Sequence, residues 1–215
     1  MKDQGISGKV YVVGETGLNE DLLAEGYEAF GLEHSDVRDI PVPFAVDQDV
    51  RAVVVGLDRH LCYYKLAYAS CCVREVPGCR FIATNPDTTF PMDRSVLPGG
   101  GSVVKFIEAT VGHPPEVVVG KPSQDLLKTV MHAYNLDPAR TCMSLTTNGF
   151  VQVGDRLTTD IEFGRRGGLQ TLLVLTGVTN EHELASLNDP MQVPDVYVDS
   201  VNDLNTLHAA RVQTN

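Results

Sequence analysis

The chain has 215 residues, 43% hydrophobic and 21% charged, the composition of a globular α/β protein that can bury a substantial core as one large domain or two small ones. A formal charge of −11 argues against a general nucleic-acid binder, because phosphate backbones reward basic surfaces. The longest apolar runs, Ala52 to Val55 and Leu172 to Leu175, are strand-length and far too short to cross a bilayer, and the opening Met1 to Gly5 leads into a strand pattern with no targeting segment expected.

In chain order, Lys9 to Val13 reads as a strand ended by Gly14. Asn19 to Phe30 reads as a helix, with apolar residues at Leu22, Leu23, Tyr27 and Phe30. Ala52 to Leu57 is a buried strand, and His60 to Arg74 a helix stopped by Pro77 and Gly78. Arg80 to Thr84 is another strand, followed by the loop Asn85 to Pro91. Pro98 and Gly99 to Gly101 break the chain before a helix capped by Ser102 and running to about Thr110. Glu116 to Val119 is then a strand, and Pro122 to Asn135 a helix with proline at its opening. Gln170 to Leu175 is a strand, Glu181 to Leu187 a short helix, Asp195 to Val198 a strand and Val201 to Ala210 a helix. Strands alternating with helices imply parallel βαβ units and a helix-covered sheet. The loop His113 to Pro115 separates two α/β modules, residues 1–115 and 116–215.

Two segments carry chemistry. In Val117-Val118-Val119-Gly120-Lys121-Pro122-Ser123 a lysine stands at the carboxyl end of a strand, where open α/β sheets bind ligands. Its ammonium can hold a phosphate or screen carboxylates; a merely solvated lysine is the plainer reading. In Val153-Gly154-Asp155-Arg156-Leu157-Thr158-Thr159-Asp160-Ile161 an apolar strand ends in Gly-Asp, with a second aspartate five residues on. Hard oxygen ligands at a strand end suit Mg²⁺, with Asp155 on the metal and Asp160 bonding the loop or a metal-bound water. The plainer alternative makes Asp155 a turn residue and Asp160 a helix cap. The five cysteines lack C-x-x-C spacing and the six histidines form no H-x-x-x-H pair, so no zinc set is offered and reduced thiols are expected.

The pair of segments, with the downstream run Thr171 to Thr179, resembles the second half of a haloacid-dehalogenase-type phosphatase core. Asp58-Arg59, Tyr63 to Leu66, Tyr68, Cys72 to Glu75, Pro77 to Cys79 and Phe81 to Asn85 resemble the cap of its phosphoglycolate/4-nitrophenyl phosphatase branch. The resemblance covers Lys9 to about Leu207. It implies an incomplete Rossmann-like parallel-sheet core with an α/β cap domain, and a Mg²⁺-dependent phosphatase of small phosphate monoesters such as 2-phosphoglycolate. It implies that Lys121 orders the nucleophile and the substrate phosphate, that Asp155 is a Mg²⁺ ligand, and that Asp160 is its acidic neighbour. It makes Thr84 to Pro91 the cap loop that selects substrate, with Asn85 and Phe90 as binding residues; some relatives carry histidine at the position of Phe90.

The family reaction also needs a nucleophilic aspartate in a D-x-D-G-T or D-x-D-G-V segment ahead of the cap. The single D-x-D here, Asp47-Gln48-Asp49, is followed by Val50 and Arg51, and Asp58 has His60 two residues on. Both read as polar loops, so this chain is expected to be inactive alone. Residues Ser144 to Gln152 are an insertion relative to the family, which either bulges at a sheet edge or lets Phe150 to Val153 replace Thr141 to Met143 as the strand feeding Asp155. A translated intron or an alternative splice product would explain both departures. The incomplete sheet is expected to leave an edge or apolar face uncovered, consistent with a homodimer. The partner is a small phosphorylated metabolite, and the cytosol or a plastid stroma fits reduced thiols. The competing reading is a non-catalytic fragment that binds a phosphate-containing ligand or a partner chain.

Overall fold

A computed structural model describes residues 5–92, 94–121, 123–137 and 152–203. The chain forms two compact units, Met1–Gly120 and Lys121–Asn215. Both are built on parallel sheets, which agrees with the α/β class.

The first unit contains β1 (Lys9–Val13), α1 (Thr16–Ala24), β2 (Glu28–Phe30), β3 (Val50–Val55), α2 (Tyr63–Glu75), β4 (Arg80–Ala83), the strands β5 (Thr89–Met92) and β6 (Ser95–Pro98), α3 (Gly100–Val111) and β7 (Val117–Val118). Its five-stranded sheet has the order β2-β1-β3-β4-β7, with every neighbouring pair parallel. The near-continuous apolar runs of β1 and β3 suit strands covered on both faces. Alternation then sorts them. Tyr11, Val13, Val53, Val55, Phe81 and Ala83 face a cluster with Leu66, Tyr68 and Cys72 of α2 and Val104 and Ile107 of α3. Val10, Val12, Ala52, Val54 and Ile82 pack on the other face with Leu22 and Tyr27.

Three features of this unit depart from the sequence reading. The helix expected over residues 19–30 begins earlier and stops at Ala24, and Glu28–Phe30 turns into β2, registered Lys9↔Glu28 against β1. Edge pairing prevails over helical periodicity here, because it sets the Phe30 ring 5.2 Å from the Tyr11 ring in an edge contact. The loop expected over 85–91 contains β5, which pairs antiparallel with β6; both strands tolerate proline because the two-stranded ladder leaves N–H positions facing outward. The strand expected to open the second module joins the first sheet, with Val117 opposite Ile82, so the division falls after Gly120.

The second unit contains α4 (Gln124–Tyr134), β8 (Gln152–Gly154), a π-helical turn Leu157–Ile161, α5 (Glu162–Arg166), β9 (Thr171–Val174), α6 (Glu181–Ala185) and β10 (Val196–Val198). Ser123 caps α4 by accepting the Asp125 N–H at 3.4 Å, and α6 opens with a capping box between Asn180 and Glu183. The sheet order is β10-β9-β8, with all pairs parallel. Two small buried groups hold it, Leu127 with Phe163 and Leu169, and Leu157 with Ile161 and Leu173. Of the insertion, only Gln152 is described, as the first residue of β8; Thr141 to Met143 and the rest of the insertion lie outside the described residues, as does all but residues 201–203 of the helix expected over Val201 to Ala210.

Candidate active site

Strand β8 delivers Asp155 at its carboxyl end, and the next residues turn back instead of starting a regular helix. The π-helical turn, with the Ile161 N–H donating to the Arg156 carbonyl at 3.3 Å, contains an extra residue, and such a bulge re-aims the side chains within it. Asp160 therefore lies folded over the loop it belongs to and is buried. Its Oδ2 accepts the backbone N–H groups of Asp155 at 3.3 Å and Arg156 at 3.2 Å. Its Oδ1 accepts the Lys121 ammonium in an ion pair. Burial of a carboxylate is tolerable only with this kind of compensation. The close seat requires Gly154: a Cβ there would overlap Asp160 Cβ.

Asp155 is held differently. Its carbonyl accepts the Thr179 N–H at 2.9 Å, and its Oδ2 accepts the Val178 N–H at 3.2 Å. No described residue donates to Oδ1. The structure thus brings Lys121, Asp155 and Asp160 into one group, with the lysine charge set against Asp160.

Asn85 and Phe90 belong to the first unit. The Asn85 carboxamide shapes its own loop, accepting the Asp87 N–H at 3.0 Å and donating to Thr84 Oγ1 at 3.3 Å. Phe90 is half-buried in β5 opposite Leu97. The loop is clamped on α3, because Gly99 and Gly101 donate to the carbonyls of Thr88 and Asp87, both at 2.8 Å. Side chains at Gly99 or Gly101 would collide with that backbone, which explains the glycine run without a nucleotide. Ser102 does not cap α3: the cap position is Gly99, and the Ser102 hydroxyl donates to the Thr88 carbonyl at 2.6 Å.

A HAD-hydrolase-like family model matches residues 118–204. Chloroplastic phosphoglycolate phosphatase 1A of Arabidopsis thaliana is 40% identical over 209 residues, covering 95% of this chain and 55% of the relative. The 4-nitrophenylphosphatase of Schizosaccharomyces pombe is 34% identical over 206 residues, covering 91% and 64%. The solved p-nitrophenyl phosphatase from Archaeoglobus fulgidus superposes with a TM-score of 0.67 at 30% identity, covering 93% of this chain and 67% of that one. The chain belongs to the haloacid-dehalogenase-like hydrolases. It spans 55% and 64% of the length of these two curated relatives.

Within that family frame, the other acidic candidates are occupied. Asp47 pairs with Lys9 at 2.7 Å and accepts the Asp49 N–H at 2.8 Å, and the Lys9 bond holds its carboxyl below the usual range. Asp58 is buried in an ion pair with the fully buried Lys65. Two of the thiols are also held protonated, since burial pushes Cys79 up to about 12 and Cys72 also upward. Among the described residues no group of three or more His, Cys, Asp or Glu could hold a metal ion. A complete protein cage is not what Mg²⁺ needs, however; one or two carboxylates with waters and phosphate suffice. The Oδ1 of Asp155, to which no described residue donates, is a hard oxygen that fits one such position. The role of the 177–179 loop was not read from the sequence; the only signal was a glycine just beyond a strand, Thr176-Gly177-Val178.

Proposed function

We propose that the chain carries the cation- and phosphate-handling part of a Mg²⁺-dependent phosphatase of small phosphate monoesters, with 2-phosphoglycolate the preferred candidate substrate. The observation that carries this reading is the Lys121–Asp160 ion pair beside an Asp155 whose Oδ1 takes no hydrogen bond from a described residue. Asp155 would take Mg²⁺, which when bound supplies positive charge against the phosphoryl oxygens. Lys121 supplies the second positive charge and is held in place by Asp160. Asp160 in turn takes the two backbone N–H groups that fix the loop after β8. Asn85 and Phe90 are proposed to contact the rest of the substrate. The names of the relatives, phosphoglycolate and 4-nitrophenyl phosphatases, support this choice.

The reading includes no turnover by these residues alone. The single D-x-D pair is occupied by Lys9, and Asp58 by Lys65, so neither offers a free carboxylate to attack phosphorus. A compartment of cytosol or plastid stroma belongs to the same proposal; the four described cysteines are free and one relative is named chloroplastic. No described helix is long and apolar enough to cross a membrane. A non-catalytic ligand-binding role is the second reading, favoured by the same occupied aspartates.

The test titrates inorganic phosphate into the purified chain with Mg²⁺, read by ³¹P NMR, beside hydrolysis assays on 2-phosphoglycolate and 4-nitrophenyl phosphate. Phosphate should bind, Lys121→Met should abolish binding, and neither substrate should turn over above background. Equal phosphate binding by Lys121→Met would remove the role given to that lysine. Turnover by the chain that is lost in Asp155→Asn would reveal an unrecognised nucleophile, with Asp47 and Asp58 the first to replace.

A further inference from the structure

We propose that Gly177, together with the N–H of Val178, is the positioning element for the Asp155 carboxylate and sets the side-chain orientation that leaves Oδ1 open to a divalent cation. The inference rests on the reading of Asp155 as a cation ligand. The segment that follows β9 folds over the end of β8 and meets residue 155 at three points. The Thr179 N–H donates to the Asp155 carbonyl at 2.9 Å, and the Val178 N–H donates to Oδ2 at 3.2 Å. At the third point the bare Cα of Gly177 faces the Asp155 side chain so closely that a Cβ would overlap its Cβ, Cγ and Oδ2. Thr179 is buried, which anchors the far end of the segment.

The physical consequence is orientational. One backbone donor occupies Oδ2, so the carboxylate has a defined inner oxygen and a defined outer one. A carboxylate already ordered loses little rotamer freedom on taking up a cation. A methyl group at 177 must displace either the carboxylate or the loop, and either movement breaks the Val178 bond. Gly168 provides the contrast within the same unit. Its φ of +72° strains any L-residue, yet a Cβ there meets nothing within 4 Å. Alanine at 168 therefore stresses the fold without touching Asp155.

Mn²⁺ alone, titrated into the purified chain and followed by the EPR signal of the free ion, tests the proposal without any need for turnover. Gly177→Ala should bind Mn²⁺ about tenfold or more weakly, the size expected when a supporting contact to a metal ligand is lost. Gly168→Ala should bind like the unaltered chain even though its melting temperature falls. Gly177→Ala binding as tightly as the unaltered chain, or Gly168→Ala weakening as much as Gly177→Ala, would overturn the proposal. If Gly177→Ala does not fold, Val178→Pro removes the N–H and puts a ring carbon where it pointed, so Oδ2 loses its donor; it too should weaken Mn²⁺, and unchanged binding overturns the proposal equally. A different failure, no Mn²⁺ binding by the unaltered chain and none by Asp155→Asn, would remove the cation-ligand reading itself and the inference with it.

Discussion

The two units solve the same problem, covering a parallel sheet, with unequal means. In the first, the central strands β1, β3 and β4 are buried on both faces, and Tyr11, Phe81 and Ile82 are among its fully buried side chains. In the second, β9 is buried along its whole length, but the edge strand is not. Val196 and Tyr197 of the edge strand β10 are 55% and 56% exposed, and Tyr134 of α4 is 73% exposed. What the second unit has instead is a tight backbone arrangement around two aspartates. The difference teaches that the first unit is held by apolar burial, which is broad and tolerant. The second is held by close approach and charge compensation, which a single methyl group can upset.

The comparison can be broken most forcefully through Lys65. Removing one partner of a buried ion pair leaves the other charge stranded, so Lys65→Ala should destabilise the first unit by about 3–5 kcal/mol in urea melts. A variant that melts like the parent would mean that Asp58 finds water and that the first unit tolerates even the loss of a buried charge. A smaller effect is expected at Gly154. Alanine there overlaps Asp160, and overpacking of this kind costs roughly 1–3 kcal/mol. Hydrogen exchange should report the loss in β8 and β9 and leave β1 and β3 protected.

Smaller still is the surface pair of Glu15 and Arg59. The Arg59 side chain, and then its N–H, hold the Glu15 carboxyl at about 2, below its ordinary 4.5. The folded chain therefore binds fewer protons than the unfolded one between those values. The pair's contribution is complete above pH 4.5 and is lost as pH falls towards 2. The pair is exposed enough for salt to weaken it, so its contribution should be small. Melting temperatures of Arg59→Gln should consequently fall less steeply than the parent's across that acid range. The smallest effect belongs to Tyr197→Ser, expected within about 0.5 kcal/mol because the ring is already largely in water. A large loss there would show that β10 is covered after all, and would bring the two units closer together.

Read on its own, the sequence determined the strands that are buried on both faces and the spacing of the charged residues. β1, β3, β4 and β9 are short, mostly apolar runs of strand length, a signal that survives in one dimension. Strand ends and a five-residue interval mark Lys121, Asp155 and Asp160 as candidates, and the family resemblance implies their roles. Tertiary structure alone decided what touches what. Phe30 lies in a helical pattern but is drawn into β2 because β1 offers an unpaired edge. Val117 reads in one dimension as the opening of a second module, yet it closes the first unit's sheet by pairing with Ile82. Asp160 sits over its own loop because Gly154 leaves room, and Asp155 is held by residues 177–179, in the loop that follows β9. The physical reason is common to all four. Strand pairing and backbone close approach join residues far apart in sequence, and periodicity records only which face a residue prefers, not which partner it meets.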